Sequence, residues 1–312
     1  MPTRLILDTD NGTDVDDCLA LAVILGSPEL QLEGVTCVYG DVALRARMVL
    51  KLLKLAECAG VPVMTGASET LLGLRQIFWP GHEGQGLLDT DDYALEPAPE
   101  HAVDYLVRTV MENPGEMHLL AVGPLTNVAL TFRREPAMVK HLAHLTIMGG
   151  AIRGPKSLHL RVAEHNFLCD PEAAHVVLSA GAPTTLVPLD VTTRVEIRRE
   201  DIARIQAGGS AFHDAVADQV ERYPRFAETG ATYLHDPLAA AIIVQPGLVE
   251  FTHALIDIET EGRLTAGASI ARAPSADQEC NVAVALGVDT AAAEEFVLDR
   301  ISKPLDQEGL SA

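Results

Sequence analysis

Short apolar runs of strand length alternate with longer segments of helical period along nearly the whole chain, and no feature constrains the fold more. Parallel strands cannot be joined by tight turns, so each strand followed by a helix implies a crossover and a sheet covered by helices. Period and punctuation predict strands at 4–9, 33–39, 61–64, 117–122, 144–148 and 184–189, with a later one at 281–286. Helices are predicted at 17–26, 42–59, 99–112, 125–134, 171–181, 199–207, 210–222, 235–244 and 290–301. The stretch 247–272 is more β-like. No repeat, low-complexity segment or Pro/Ser-rich linker interrupts the pattern. The expectation is one α/β domain over residues 1–302 with an open, mostly parallel central sheet, helices on both faces and a Rossmann-like core, followed by a flexible tail at 303–312. At 48% apolar residues over 312 positions the core is ample.

Two connections are long for such a domain, about 66–97 and 149–165, and long connections in compact α/β folds tend to carry function. The first contains the single tryptophan, Trp79, and His82. Ligands of open parallel sheets bind beyond the carboxyl ends of the strands. The residues just past those ends are Asp8 and Asp10, Tyr39 to Asp41, Gly123 to Thr126, Met148 to Gly150, and Asp190.

The first of these turns is unusual. The run DTDNGTDVDD, residues 8–17, holds five carboxylates in ten positions between two apolar segments. Like charges so confined repel unless something positive sits among them. A calcium hand loop fails on spacing, because the positions that need glycine and glutamate are Thr13 and Leu19. A haloacid dehalogenase-type phosphohydrolase with Asp8 as nucleophile is an alternative, although Asn11 splits its Asp-x-Asp-Gly-Thr motif. Helix capping and the helix dipole account for Asp14, Asp16 and Asp17 without any ligand. They do not account for Asp8 and Asp10 at the end of a buried strand, where unpaired charge is costly. A hard divalent ion held by oxygens accounts for all.

The charge balance of 23 basic against 44 acidic residues gives a net −21. That excess argues against nucleic acid or an anionic membrane as partner. The N-terminus lacks the pattern of a secretory signal, no apolar stretch is long enough to span a bilayer, and a cytoplasmic location is expected. The five cysteines (Cys18, Cys37, Cys58, Cys169 and Cys280) are scattered, odd in number and never spaced as CxxC, so reduced thiols are expected rather than disulfides or a zinc knuckle.

The acidic turn followed by an apolar helix resembles the calcium-dependent nucleoside hydrolases, the inosine-uridine preferring group. Further segments similar to that family follow in order: Tyr39 to Asp41, the GHEGQGL run at 81–87, AVGPLTN at 121–127, Met148 to Gly150, AEHN at 163–166 with DPEAA at 170–174, LDVT at 189–192, and His235 to Pro237. They span residues 4 to about 240. Each segment is weak alone; the ordered set is specific.

The resemblance implies a nucleoside hydrolase-like fold, a small nucleoside-like substrate, a Ca2+ cofactor and a homo-oligomer, dimer or tetramer. It puts Asp10, Asp17, the main-chain carbonyl of Thr126 and Asp236 on the ion, in keeping with calcium's preference for oxygen donors. Asp10 is the implied base for the attacking water and His235 the implied proton donor to the departing base, a task that suits titration near neutrality. Asp16 is assigned to the ribose 2′-hydroxyl, and Asn166 and Glu164 to the 3′- and 5′-hydroxyls. Asp41 and Met148 are further substrate contacts, and His82 closes over the nucleobase with Trp79 or Phe78. Asp8 is expected behind the ligands, orienting them.

The pattern bends in four places. The first turn is two residues longer than the commonest form, so Asp14 is an alternative to Asp16 for the ribose contact. Asp41 stands where asparagine is frequent, His165 where phenylalanine is usual, and Leu158 where an asparagine is expected. The last two bear on the 5′ end of the sugar and raise the hypothesis of a 5′-modified ribosyl substrate. A protein that binds a ribosyl ligand without cleaving it remains the non-catalytic alternative.

Overall fold

The computed structural model describes residues 1–152, 162–275, 280 and 282–305. The strands are β1 (Thr3–Thr9), β2 (Leu30–Cys37), β3 (Val63–Thr65), β4 (Met117–Ala121), β5 (His144–Met148), β6 (Thr184–Val187), β7 (Glu196–Arg198), β8 (Ala231–Tyr233), β9 (Val249–His253), β10 (Leu255–Ile258), β11 (Ser269–Arg272) and β12 (Val282–Val288). The helices are α1 (Asp16–Leu25), α2 (Val42–Leu55), α3 (Ala102–Glu112), α4 (Thr126–Arg134), α5 (Met138–His141), α6 (His165–Cys169), α7 (Pro171–Leu178), α8 (Leu189–Thr192), α9 (Ile202–Gln206), α10 (Ala211–Arg222), α11 (Pro224–Thr229), α12 (His235–Val244) and α13 (Thr290–Ile301).

Eight strands form the central sheet in the order β3-β2-β1-β4-β5-β6-β12-β9. All pairings in it are parallel except β12 with β9 at one edge. The alternation of side chains along β1 explains why the sheet has two apolar faces. Leu5 and Leu7 pack with α1, α2, α12 and α13 on one side, and Ile6 packs with α3, α4 and α7 on the other. Helix α1 is buried along its entire length and lies against α12, which is also apolar nearly all round. Two buried helices therefore start side by side at the carboxyl edge of the sheet.

The predicted order of elements matches, with local differences. The second strand starts at Leu30 and stops at Cys37, because Tyr39 (φ 69°) and Gly40 (φ 75°) turn the chain through the left-handed region. The second helix was expected to reach 59 and ends at Leu55. Glu57 takes φ 62°, and the amide of Cys58 reaches back to the carbonyl of Leu53 at 2.8 Å, a closure that stops the helix. The β-like stretch 247–272 divides: β9 joins the main sheet, whereas β10 and β11 form a separate antiparallel pair. The short ribbon of β7 and β8 has no counterpart in the sequence reading, since three-residue strands show no usable period. Of the tail expected over 303–312, residues 306–312 lie outside the described residues, as does Leu158.

At the far end of the strands from the acidic turn, His118 on β4 and His144 on β5 are register neighbours with rings 5.2 Å apart. Each Nε2 sits 2.8 Å from a threonine hydroxyl on the next strand, Thr146 and Thr185 respectively. Burial first and His144 second push His118 down to about 3, and burial lowers His144 as well. Both rings bind protons more weakly folded than unfolded. Their contribution to stability is thus whole above the ordinary imidazole value of about 6.5 and is lost as pH falls toward the folded values. In urea titrations the stability of the wild type relative to His118→Gln should fall steadily between about pH 7 and about pH 4. A gap that does not change with pH would contradict this.

Candidate active site at the acidic turn

The acidic turn forms as it does because β1 ends at Thr9, Gly12 turns the chain at φ 118°, and α1 begins at Asp16. A Cβ at Gly12 would meet the end of the flexible Met48 side chain at 2.8 Å, so it is the backbone angle more than the space that favours glycine here. The turn opens onto a cavity of about 900 Å³ at the carboxyl edge of the sheet. Asp10, Asp14, Asp16, Asp17, Glu164 and Asp236 all line it, with His82, His165, His235, Met148, Asn166, Phe78 and Trp79.

Asp16, Asp17 and Asp236 each place one carboxylate oxygen within 4.8 Å of the other two, all buried. They come from positions 220 residues apart, and the amide of Asp236 points at Oδ2 of Asp16 at 3.4 Å. Burial, and after it the charges of the neighbouring aspartates, Asp10 among them, hold all three well above the ordinary carboxylate range. The amino ends of α1 and α12 both face this cluster and ease part of that cost. Asp17 gains one more partner, the hydroxyl of Thr9, which donates to its Oδ1.

One full positive charge is buried here, and it comes from a residue that the sequence did not single out. Arg45 is wholly buried. Its Nε donates to the carbonyl of Tyr39 at 2.6 Å, and its Nη1 to the carbonyls of Asp10 and Asn11. Its Nη2 donates to Thr13 Oγ1 at 3.0 Å and stands 3.7 Å from Asp10 Oδ2. Trp79 covers the guanidinium at 4.8 Å and packs on Gly40, where a Cβ would meet the indole at 2.7 Å. No pattern in the sequence separates this arginine from an ordinary surface position on α2.

The remaining expected residues divide by surroundings. Asp8 is fully buried and outside the cavity wall. Its Oδ1 accepts from Thr36 Oγ1 and from Asn127 Nδ2 at 2.8 Å, and burial raises it to about 7. A carboxylate turned into the sheet in this way cannot serve as a phosphohydrolase nucleophile, so that alternative fails on geometry. Thr126 is buried at the first turn of α4, its hydroxyl donating to Asp170 Oδ2 at 2.6 Å. Its neighbour Gly123 does approach the site: a Cβ there would fall 2.9 Å from Asp10 Oδ1. Asp41 stands apart from the site, exposed, capping α2 by accepting from the Leu44 amide at 2.9 Å.

Asp14 is held by the hydroxyl of Tyr223, which donates to its Oδ2 at 2.6 Å, a contact across 209 residues. Glu164 caps α6, its oxygens accepting from the amides of Asn166, Phe167 and Gly150. Asn166 in turn donates to the carbonyls of Val122 (2.6 Å) and Met148 (3.3 Å), so it is fixed to the ends of two strands. His165 meets the edge of Phe78 with ring centres 5.4 Å apart and lies 3.5 Å from Cys169 Sγ. His82 Nε2 is 3.0 Å from the carbonyl of Thr13, which latches the glycine-rich loop onto the acidic turn. His235 is oriented by Thr192, whose hydroxyl is 2.7 Å from Nδ1, and by the ring of Tyr233. Burial and then Arg225 push His235 down to about 4, below the near-neutral value the sequence suggested. Cys169, Tyr223, Arg225 and Thr192, like Arg45, were not foreseen; they belong to segments whose approach depends on the tertiary fold.

The donor set fits a hard cation: each of the three clustered side chains offers a carboxylate oxygen, and the buried carboxylates lack enough positive charge to stay ionised together.

Known proteins bear on the same site. The model of the family described as inosine-uridine preferring nucleoside hydrolase matches residues 5–295. The chain is 30% identical over 317 residues to the inosine-uridine preferring nucleoside hydrolase of Crithidia fasciculata, covering 97% of this chain and 98% of that one. It is 34% identical over 283 residues to the pyrimidine-specific ribonucleoside hydrolase of Salmonella arizonae, covering 86% and 88%. Among solved structures, a purine-preferring ribonucleoside hydrolase from Gardnerella vaginalis aligns with a TM-score of 0.86 at 30% identity, over 96% of this chain and 98% of that one.

A ligand that binds only the folded state raises its stability. Chelator-treated protein should therefore gain several degrees in its thermal midpoint on addition of a divalent cation, and Asp236→Asn should lose most of that gain. An equal response from both proteins would exclude the carboxylate cluster as the binding site.

Proposed function

The chain belongs to the inosine-uridine preferring nucleoside hydrolase family, and from that premise we propose that it cleaves the N-glycosidic bond of a ribonucleoside or related ribosyl compound, giving ribose and free base, with Asp10 as base and His235 serving the leaving group. The observation that carries this reading is the meeting of Asp10, Asp16, Asp17 and Asp236 with His235 in one cavity beyond the sheet.

Asp10, Asp17 and Asp236 would hold the cation, with the carbonyl of Thr126 as the expected fourth protein donor. We assign the ion as Ca2+, since six to eight oxygens at variable geometry suit an all-oxygen site better than the strict octahedron of Mg2+. Bound there, it supplies the charge that polarises water and sugar hydroxyls. Asp10 takes a proton from the attacking water as that oxygen approaches C1′. Asp16, or Asp14 in its place, accepts from the 2′-hydroxyl; Glu164 and Asn166 engage the 3′- and 5′-hydroxyls. The ring of negative charge favours the oxocarbenium-like ribosyl cation, as in glycoside hydrolysis. As the C1′–N bond breaks, its electron pair passes to the base; His235, kept mostly neutral by its burial, must first take up a proton from solvent, which the rising basicity of the base then draws from it. Asp10 returns its proton to solvent, so the balance is one water consumed. His82 and Trp79, on the latched loop, would cover the base and keep other water out.

We further propose that the protein works in the cytoplasm as a homodimer or homotetramer. All five cysteines are free, as expected of a reducing compartment, and no helix among the described residues is long and apolar enough to cross a membrane. His165, between Phe78 and Cys169 on the cavity wall, supports a separate hypothesis that a 5′-modified ribosyl group is accepted. Rates on plain nucleosides that exceed those on their 5′-substituted analogues would remove its basis.

A nucleoside panel read by free ribose tests the main reading. Asp10→Ala should lower kcat by about 10²–10⁴-fold, the usual worth of a positioned base. Chelation should abolish activity, and Ca2+ should restore it at lower concentration than Mg2+. Ribose release indifferent to both chelator and substitution would overturn the mechanism.

A further inference from the structure

Among the described residues two arginines line the cavity, Arg75 and Arg225. Arg75 is already engaged: its Nη2 and Nε reach the two carboxylate oxygens of Glu172 at 2.6 and 3.0 Å. Arg225, at the first turn of α11, is not. Its guanidinium stands over Tyr233, 4.2 Å from the ring centre, and forms no hydrogen bond or ion pair with any described residue. Its Nε is buried without an acceptor. The Tyr233 ring in turn stands 5.2 Å from the ring of His235, so guanidinium and imidazole rest on one aromatic support.

A cation on a cavity wall that has no partner among the described residues can take an acceptor brought by the ligand. A guanidinium offers coplanar N–H groups matched to coplanar oxygen and nitrogen acceptors, and stacking on an aromatic ring holds that plane in place. In a cavity lined by many carboxylates, a cation that pairs with none of them is available to the substrate.

We propose that Arg225 recognises the nucleobase and selects 6-oxopurines and 4-oxopyrimidines over their amino counterparts, while taking up negative charge that develops on the departing base. The inference rests on the N-ribosyl hydrolase reading above. When the C1′–N bond breaks, the electron pair it leaves is delocalised from the ring nitrogen onto the carbonyl oxygens, and the guanidinium N–H groups face acceptors. An exocyclic amine at the same position would point its own hydrogens at them. The proton that completes the free base still comes by way of His235.

The test compares wild type, Arg225→Lys and Arg225→Met on inosine against adenosine, on uridine against cytidine, and on 4-nitrophenyl ribofuranoside, whose phenolate departs with little assistance. Removing a preorganised donor from a developing anion costs about 10²-fold, so Arg225→Met should lose about that much kcat/KM on inosine and uridine. Its loss on the amino nucleosides and on the nitrophenyl riboside should be at least tenfold smaller, with Arg225→Lys between the two. Thermal midpoints of both variants separate this from loss of the Tyr233 stack. Equal losses on every substrate, or none, would overturn the assignment of Arg225. A wild type that hydrolyses no nucleoside but is otherwise folded would instead overturn the underlying reading.

Discussion

The structure depends on one electrostatic constraint: several buried carboxylates are gathered at the end of a central strand, with the buried Arg45 beside them. Arg45 barely pairs with them, its nearest carboxylate oxygen being 3.7 Å away. It holds instead the carbonyls of Asp10, Asn11 and Tyr39, and so fixes the backbone from which the acids project. The amino termini of two buried helices supply further partial positive charge. What remains uncompensated is what a divalent cation satisfies, and burial drives Asp16, Asp17 and Asp236 toward protonation otherwise.

Sheet topology explains where this had to happen. From β1 the chain runs one way through β2 and β3, then returns to the other side of β1 with β4. Loops leaving β1 and β4 diverge, and the crevice between them is where open α/β sheets receive ligands. Asp10 occupies that crevice. Gly123, just after β4, leaves room for its carboxylate where any side chain would intrude. The far wall comes from α12, and α1 and α12 can bring Asp17 and Asp236 together because both are apolar enough to be buried against each other.

The order of strands and helices was legible because each buried element carries its own period, and the acidic turn was legible because five acids between apolar runs have few explanations. What escaped was of two kinds. Elements of three to five residues, such as β7, β8, α6 and α8, are shorter than any period can register. Partners brought in by tertiary contact, such as Tyr223 on Asp14 or Arg45 under Trp79, look like ordinary residues of amphipathic helices until the fold is formed. Asp41 failed in the opposite sense. It sits at a strand end, as a site residue does, yet its carboxylate is spent on capping α2, and a sequence cannot tell a cap from a ligand when both want aspartate at a turn.

Arg45 also joins two parts of the site that a sequence reading treats as separate. Trp79 lies on its guanidinium, and His82, three residues on, reaches the carbonyl of Thr13 within the acidic turn. Thr13 itself receives Nη2 of Arg45. The covering loop and the carboxylate turn therefore share one set of contacts, and neither shifts without disturbing the other. A loop tied this way is a wall more than a hinge. Its glycines at 81, 84 and 86, all in the left-handed region, shape a fixed path for the backbone over the cavity. Phe78, exposed on that same loop, and the half-buried His165 and Arg225 line the cavity it covers, so the fixed path of the loop also sets where these three side chains stand relative to the carboxylates.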